Sequence, residues 1–310
     1  MVNIMILGAA GFIGINLALE LSKEPINKLF LVDENVNYFL NHPLKNNKRV
    51  SFYEINYLSY EQMKQIVAGM DIIYHLISTN NPSSSNKEIE NDISQNVMIS
   101  TNILESCVRA KIKKVIFMSS GGAIYGKNVT CPIKENDEKN PITTYGIQKL
   151  TIENLLYLYQ YIHGLDYVII RLSNPYGPYQ RPNGKLGVIS TFVYKALKGE
   201  TLQVYGDGSV IRDYIYIDDA ISAIVKIAKS NHVNCIYNIG SGVGTNILEL
   251  INYIRKNVNP NINVKFSGGR IVDVPENYLD ISHFESDFGK LLCCPLQDGI
   301  IHTAEFMKKN

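Results

Sequence analysis

Tyr145 and Lys149 stand four residues apart in the segment YGIQK, so a helix there places them on one face, one turn apart. An ammonium beside a phenol lowers the phenol's pKa, which makes Tyr145 a general base suited to a sugar or alcohol hydroxyl. Upstream, ILGAAGFIG sets Gly8, Gly11 and Gly14 between an apolar strand-sized run and a helical pattern. Gly8 permits a tight turn, Gly11 admits a pyrophosphate against the backbone, and Gly14 allows close helix–strand packing. Phe12, Ile13 and Gly14 open the helix, whose free N–H groups and dipole favour an anion. Asp33 ends the next strand-sized run. A carboxylate there accepts from a ribose 2′-hydroxyl and repels a 2′-phosphate, so the cofactor expected is NAD and not NADP.

These residues need a scaffold, and the apolar runs supply one. NIMIL (3–7), KLFLV (28–32), VSFYE (50–54), DIIYHLI (71–77), KVIFMS (114–119) and YVIIRL (167–172) read as strands. Helix-length stretches such as 90–110 and 145–163 lie between them. Short β-branched strands separated by helices imply a parallel sheet covered on both faces, an α/β, Rossmann-type doubly wound domain over residues 1–172. After Leu172 the texture changes to turn formers, with SNPYGPYQRPNG, YGDGS and GSGVG at intervals. Residues 173–310 are expected to form a smaller, discontinuous α/β lobe that binds substrate, with some later segments returning to the first domain. The asparagine-rich stretch 35–47 reads as a solvated loop.

Composition excludes several function classes. The 310 residues are 45% hydrophobic, enough for a large core. Thirty basic residues against 29 acidic ones, without a basic run, argue against nucleic acid as a partner. No segment reaches the roughly 20 apolar residues of a membrane span, and a chain opening on VNIMIL without a charged leader is expected in the cytoplasm. The five cysteines lack C-x-x-C spacing and no histidine pair has H-x-x-x-H spacing, so no metal is expected.

The chain resembles the extended short-chain dehydrogenase/reductases, in particular nucleotide-sugar epimerases of the UDP-glucose 4-epimerase type. The resemblance runs through GAAGFIG, DIIYHLIS, NVMISTNILESC, FMSSGGAIYG, YGIQK, RLSNPYGP, GDGSVIRDYIYIDDA, YNIGSG and RIVDVPENYLDISHFESDFG, in that order. It implies roles at matching positions. Asn56, followed by Tyr57, stands where an acid usually holds the adenine amino group. Leu76, Ile77 and Ser78 border the cofactor, Asn96 and Ser119 line its site, and Lys149 holds its ribose. Asn174 reaches the diphosphate of a sugar nucleotide, and Arg212 and Arg270 clamp it, a task suited to guanidinium forks. Asp273 serves the nucleoside ribose, and Tyr205 packs on its base. A homodimer through helices 90–110 and 145–163 is also implied.

One departure stands out in FMSSGGAIYG. Family members carry Ser or Thr four residues before the tyrosine of YG, and often a second hydroxyl two before it. Here those positions are Gly121 and Ala123. Ser120 is the hydroxyl left to assist Tyr145. The same departure disfavours 4,6-dehydration and decarboxylation, because those relatives place acids where Gly122 and Ala123 stand. The resemblance therefore implies an NAD-dependent epimerase acting on UDP-hexoses through a 4-keto intermediate. The alternatives are a nucleotide-sugar 4-ketoreductase or dehydrogenase, and a dinucleotide-binding sensor without catalysis. Asn277, seven residues after Arg270, falls where the family gates the pocket by the C2 substituent. A residue this small implies that N-acetylhexosamines are accepted.

Overall fold

The structure is a computed structural model that describes residues 2–79, 86, 88–182, 187–269 and 274–309. It divides into two compact units. The first comprises residues 1–120, 143–171 and 224–237, and the second residues 121–142, 172–223 and 238–310.

In the first unit the chain runs β1 (Val2–Leu7), α1 (Phe12–Ser22), β2 (Asn27–Asp33), β3 (Val50–Glu54), α2 (Tyr60–Val67), β4 (Ile72–His75), α3 (Ile89–Ala110), β5 (Lys114–Ser120), α4 (Thr144–His163) and β6 (Tyr167–Leu172). Each strand read from the sequence is present, although β4 is shorter than 71–77. Beyond β6 come β7 (Asn174–Tyr176), α5 (Val188–Lys198), β8 (Leu202–Tyr205), β9 (Ile211–Tyr216), α6 (Ile217–Lys229) and β10 (Cys235–Ile239). The chain ends with β11 (Gly244–Asn246), α7 (Ile247–Asn257), β12 (Val264–Ser267), β13 (Glu276–Asn277), α8 (Ser282–Phe288) and α9 (Leu296–Lys309).

Seven strands form the main sheet in the order β3–β2–β1–β4–β5–β6–β10. β1 pairs in parallel with both β2 and β4, so the winding reverses beside β1, at the switch point where such sheets bind ligands. β5 and β6 are buried almost throughout, which is why both read as unbroken apolar runs. The core of this unit includes Met5, Leu7, Val32, Ile73, Ile103, Val115, Phe117, Ile152 and Leu156.

The second unit has its own core, including Tyr176, Phe192, Val193, Leu202, Leu250, Ile254 and Ile300. Its strand β9 pairs antiparallel with β11 and parallel with β13 and β7. Residues 121–142 belong to this unit although they precede Leu172, and 224–237 belong to the first. Such returns leave no composition change for a sequence reading to find.

One expectation is overturned. The stretch 35–47 is not merely a solvated loop, because it holds a 3-10 turn, Val36–Phe39, and buries Phe39 and His42. Both rings pack on Phe52 of β3, at 5.0 and 5.3 Å between centroids. The asparagines around them masked two buried rings. No helix among the described residues is long and apolar enough to cross a membrane.

Candidate active site

The glycine turn follows β1 directly. Gly8 adopts φ +82°, open to glycine at little cost, and a Cβ there would press on the backbone of Leu76 and Ile77 at 3.3 Å. At Gly14 a Cβ would lie 2.6 Å from the Gly8 carbonyl oxygen and 2.7 Å from Ala9 Cα, so only glycine lets α1 approach. Gly11 caps α1 without a side-chain hydrogen bond, and the first turn holds no acidic residue. The N–H groups of Phe12, Ile13 and Gly14 thus open a helix start with no anion of its own, a cradle suited to a dinucleotide pyrophosphate.

Asp33 closes β2 and turns back to this loop. One carboxylate oxygen accepts from the Ala10 backbone N–H at 2.9 Å, and the other accepts from the Glu34 N–H at the same distance. Tyr57 is buried beneath the turn. Its hydroxyl accepts from the Gly8 N–H and donates to the Val32 carbonyl, both at 3.1 Å. It is therefore a support of the loop. An open cleft of about 330 Å³ lies at the end of β2 and β3, lined by Glu34, Glu54, Ile55, Asn56 and Gln62. Asn56 is held by the Gln62 side chain, which accepts its backbone N–H at 2.7 Å. The cleft suits one end of a dinucleotide in size, and Gln62 and Glu34 join Asn56 there without any sequence motif to mark them.

Leu76, Ile77 and Ser78 follow β4, and the Leu76 N–H donates to the Leu7 carbonyl at 3.1 Å. Ile77 is buried and Ser78 exposed. Asn96 of α3 spends its amide on this segment: its oxygen accepts from the Thr79 N–H at 3.0 Å and its nitrogen donates to Thr79 Oγ1 at 2.6 Å. Ser119 likewise donates its hydroxyl to Glu153 at 2.5 Å. The polar groups of both residues, expected to line the cofactor site, bond to protein.

Tyr145 and Lys149 lie on α4, which Thr143 caps. The Thr143 hydroxyl accepts from the Gly146 N–H at 3.1 Å, and Thr144 bonds Asp92 of α3 at 3.0 Å. This fixes Tyr145 at the helix start. The Tyr145 hydroxyl shares a hydrogen bond with Ser120, yet burial dominates and pushes its pKa up to about 12. Lys149 is buried and donates to the Met118 carbonyl at 2.8 Å. Its ammonium lies 5.8 Å from the Tyr145 ring centroid and 4.7 Å from that of Phe117. Burial pulls its pKa down to about 7, opposed by the charge of Glu153. The expected lowering of the phenol is thus outweighed by desolvation of Tyr145.

The substrate residues named from the resemblance fall in the second unit. Asn174 donates to the Asp213 carbonyl at 2.9 Å. Arg212 donates to the carbonyls of Ile211 and Val274, each at 2.7 Å. Tyr205 ends β8 and is exposed. Asn277 is 1% exposed, and its amide nitrogen donates to the Gly121 carbonyl at 3.3 Å while its Oδ1 has no hydrogen-bond partner. Arg270 and Asp273 lie outside the described residues. Asp213, missed in the sequence, is fully buried and accepts from Ser241 at 2.7 Å and from Gly242 and Leu279 at 3.3 Å, tying β9 to the GSG loop. No group of histidine, cysteine or acidic side chains among the described residues is arranged to hold a metal.

The comparisons agree with this geometry. Residues 4–240 match the model of the NAD dependent epimerase/dehydratase family. A putative UDP-glucose 4-epimerase of Methanocaldococcus jannaschii is 32% identical, with 99% of each chain covered. The solved UDP-glucose 4-epimerase of Thermotoga maritima, bound to UDP-glucose, superposes with TM-score 0.92 at 32% identity over 99% of each chain. A UDP-N-acetylglucosamine 4-epimerase of Methanobrevibacter ruminantium, in complex with UDP-N-acetylmuramic acid, gives TM-score 0.91 at 28% identity, covering 99% of this chain and 98% of that one. With its glycine turn, its acid at the end of β2 and its tyrosine–lysine pair on α4, the chain belongs to the NAD-dependent epimerase/dehydratase family and is an enzyme of the Rossmann type.

Proposed function

We propose that the protein is a nucleotide-sugar 4-epimerase that acts on UDP-hexoses and also on UDP-N-acetylhexosamines. The observation that carries this is the triad of Tyr145, Ser120 and Lys149, with the tyrosine hydroxyl bonded to Ser120 and the lysine buried behind it. Bound NAD supplies reversible oxidation at C4. The Phe12, Ile13 and Gly14 N–H groups hold its pyrophosphate, and the Asp33 carboxylate favours an unphosphorylated ribose. Tyr145 takes the C4 hydroxyl proton, with Ser120 as the relay that Gly121 and Ala123 do not provide, and returns it when the 4-keto sugar has turned over. Lys149 supplies positive charge to Tyr145 and a donor to the ribose. The high pKa of Tyr145 assigns the Lys149 ammonium and the Ser120 hydrogen bond the task of bringing the phenol into range.

Asn174, Arg212 and Arg270 are proposed for the diphosphate, with Asp273 and Tyr205 for the nucleoside. Asn277 is proposed as the C2 gate, and its Oδ1, buried without a partner, supports an acceptor for an amide N–H there. A homodimer is proposed through α3 and α4, whose Met98, Tyr157, Leu158, Tyr161 and Ile162 are exposed.

The test is to incubate the protein with UDP- and GDP-sugars and to follow C4 inversion by NMR. Inversion of UDP-glucose and UDP-N-acetylglucosamine without added cofactor is expected. Turnover only with added NADH would make it a ketoreductase, and no turnover with any sugar would leave it a sensor.

A further inference from the structure

Three polar residues of α4, Tyr145, Lys149 and Glu153, follow one another at intervals of four, so they form a single stripe. The stripe meets three consecutive residues at the end of β5. Tyr145 bonds the Ser120 side chain. Lys149 bonds the Met118 carbonyl at 2.8 Å. Glu153 accepts from the Ser119 hydroxyl at 2.5 Å. Behind Glu153, Arg171 of β6 donates to one carboxylate oxygen through Nε at 3.1 Å and to the other through Nη2 at 2.6 Å. Both side chains of this ion pair are nearly sealed from solvent, at 2% and 4% exposure.

A buried ion pair is a poor source of stability, since desolving both charges offsets their attraction. Its place points to another use. The five contacts at the end of β5 and on Glu153 fix groups that adjoin the reacting tyrosine, and the charge of Glu153 acts on Lys149. The other titratable groups facing Lys149 are Tyr145 on its own helix and His75 on β4, with Arg171 on β6 paired to Glu153. His75 bonds Ser100 through Nε2 at 2.8 Å and is kept neutral by burial, with its pKa pulled down to about 3.

We propose that Glu153 is a positioning residue of this enzyme, which locks the end of β5 against α4 through Ser119 and sets the charge that the buried Lys149 presents to Tyr145. The inference rests on the reading of Tyr145 and Lys149 as the reacting pair. Its physical content is separate. Burial drives the proton off Lys149 and Glu153 opposes this, so a neutral residue at 153 must move the lysine's titration to lower pH.

The experiment compares the wild-type protein with Glu153→Gln by ¹³Cε-lysine NMR, with the Lys149 signal assigned by its loss in Lys149→Met. The Lys149 midpoint is expected to fall by about one pH unit or more, and the alkaline limb of the pH–rate profile to fall with it. Bound NAD is expected to stay near wild-type content. An unchanged midpoint with a uniform loss of turnover at every pH would overturn the proposal and leave Glu153 a structural residue. Gln at 153 strands the Arg171 charge in the core, which is strongly destabilising. Glu153→Leu with Arg171→Met removes both charges at similar volume and is therefore measured as well. Losing the Arg171 charge offsets part of the effect, so a downward shift smaller than in Glu153→Gln is expected there, and a midpoint above the wild type would sink the idea. The lysine titration does not assume the sugar reaction, whereas C4 inversion by Tyr145→Phe does not involve Glu153, so the two readings fail separately.

Discussion

The Asn277 side-chain amide donates to the backbone carbonyl of Gly121 at 3.3 Å, while the Gly121 N–H donates to the Leu172 carbonyl at 2.8 Å. Both backbone groups of the residue that replaces the family's hydroxyl are thus tied down, and one tie comes from the proposed gate of the sugar pocket. Gly121→Ser adds a hydroxyl and keeps both backbone groups that make these bonds. Turnover equal to or above wild type is expected, measured as C4 inversion. A loss of more than about tenfold, roughly 1.4 kcal/mol of barrier, would show that the space is needed by backbone or substrate.

Asn277 is the proposed determinant of substrate size. Asn277→Tyr fills the site and is expected to lower inversion of UDP-N-acetylglucosamine by on the order of a hundredfold while sparing UDP-glucose. Because Asn277 is fully buried, the variant's melting temperature is recorded alongside. Equal loss on both sugars with an unchanged melting temperature would remove Asn277 from the gate.

Tyr145→Phe removes the phenol and keeps the ring. Turnover should drop by about 10²–10⁴-fold, the usual worth of general-base help, with NAD content unchanged. Near-normal turnover would assign the proton transfer elsewhere.

Asp33 holds the Ala10 N–H with one carboxylate oxygen. Asp33→Asn keeps an acceptor and removes the charge. It should weaken NAD binding by about 1.5–3 kcal/mol, the worth of a hydrogen bond to a charged group, and relax the rejection of NADP. Calorimetric titration with both dinucleotides reads this directly, and an unchanged preference would mean that Glu34 or another group sets it.

Lys149 also leaves a signature in stability. Its folded pKa, about 7, lies below its ordinary 10.5, so between those values the unfolded chain binds the extra proton. Stability from this residue therefore rises as pH goes from about 7 towards 10, and its cost is fully present below 7. The melting temperature of the wild type relative to Lys149→Met should climb across that window. A flat difference would show that the lysine keeps its proton in the fold.

The strands of the first unit were legible because each is a short apolar run carried within its own stretch of sequence, and YGIQK was legible because four residues make one helical turn. The stretch 35–47 was misread for the opposite reason. Phe39 and His42 are buried by Phe52, ten or more residues away, and nothing in their own neighbourhood announces it. Burial there also pulls the His42 pKa down to about 4.

Residue types and order determined which groups this chain could bring to a dinucleotide and a sugar: the three glycines, Asp33, Tyr145 and Lys149. Where the polar atoms point was decided only in three dimensions. Ser119 and Asn96 stand in the expected segments, yet Ser119 bonds a carboxylate thirty-four residues on and Asn96 bonds Thr79 seventeen residues back. The Glu153–Arg171 pair joins helix to strand across a buried interface, and the Tyr57 hydroxyl reaches Gly8 across forty-nine positions. Periodicity is a local property that a sequence carries openly. The partner of a buried polar group is chosen by whichever group the folded chain brings within about 3 Å of it, because leaving such a group unpaired costs more than any local preference does.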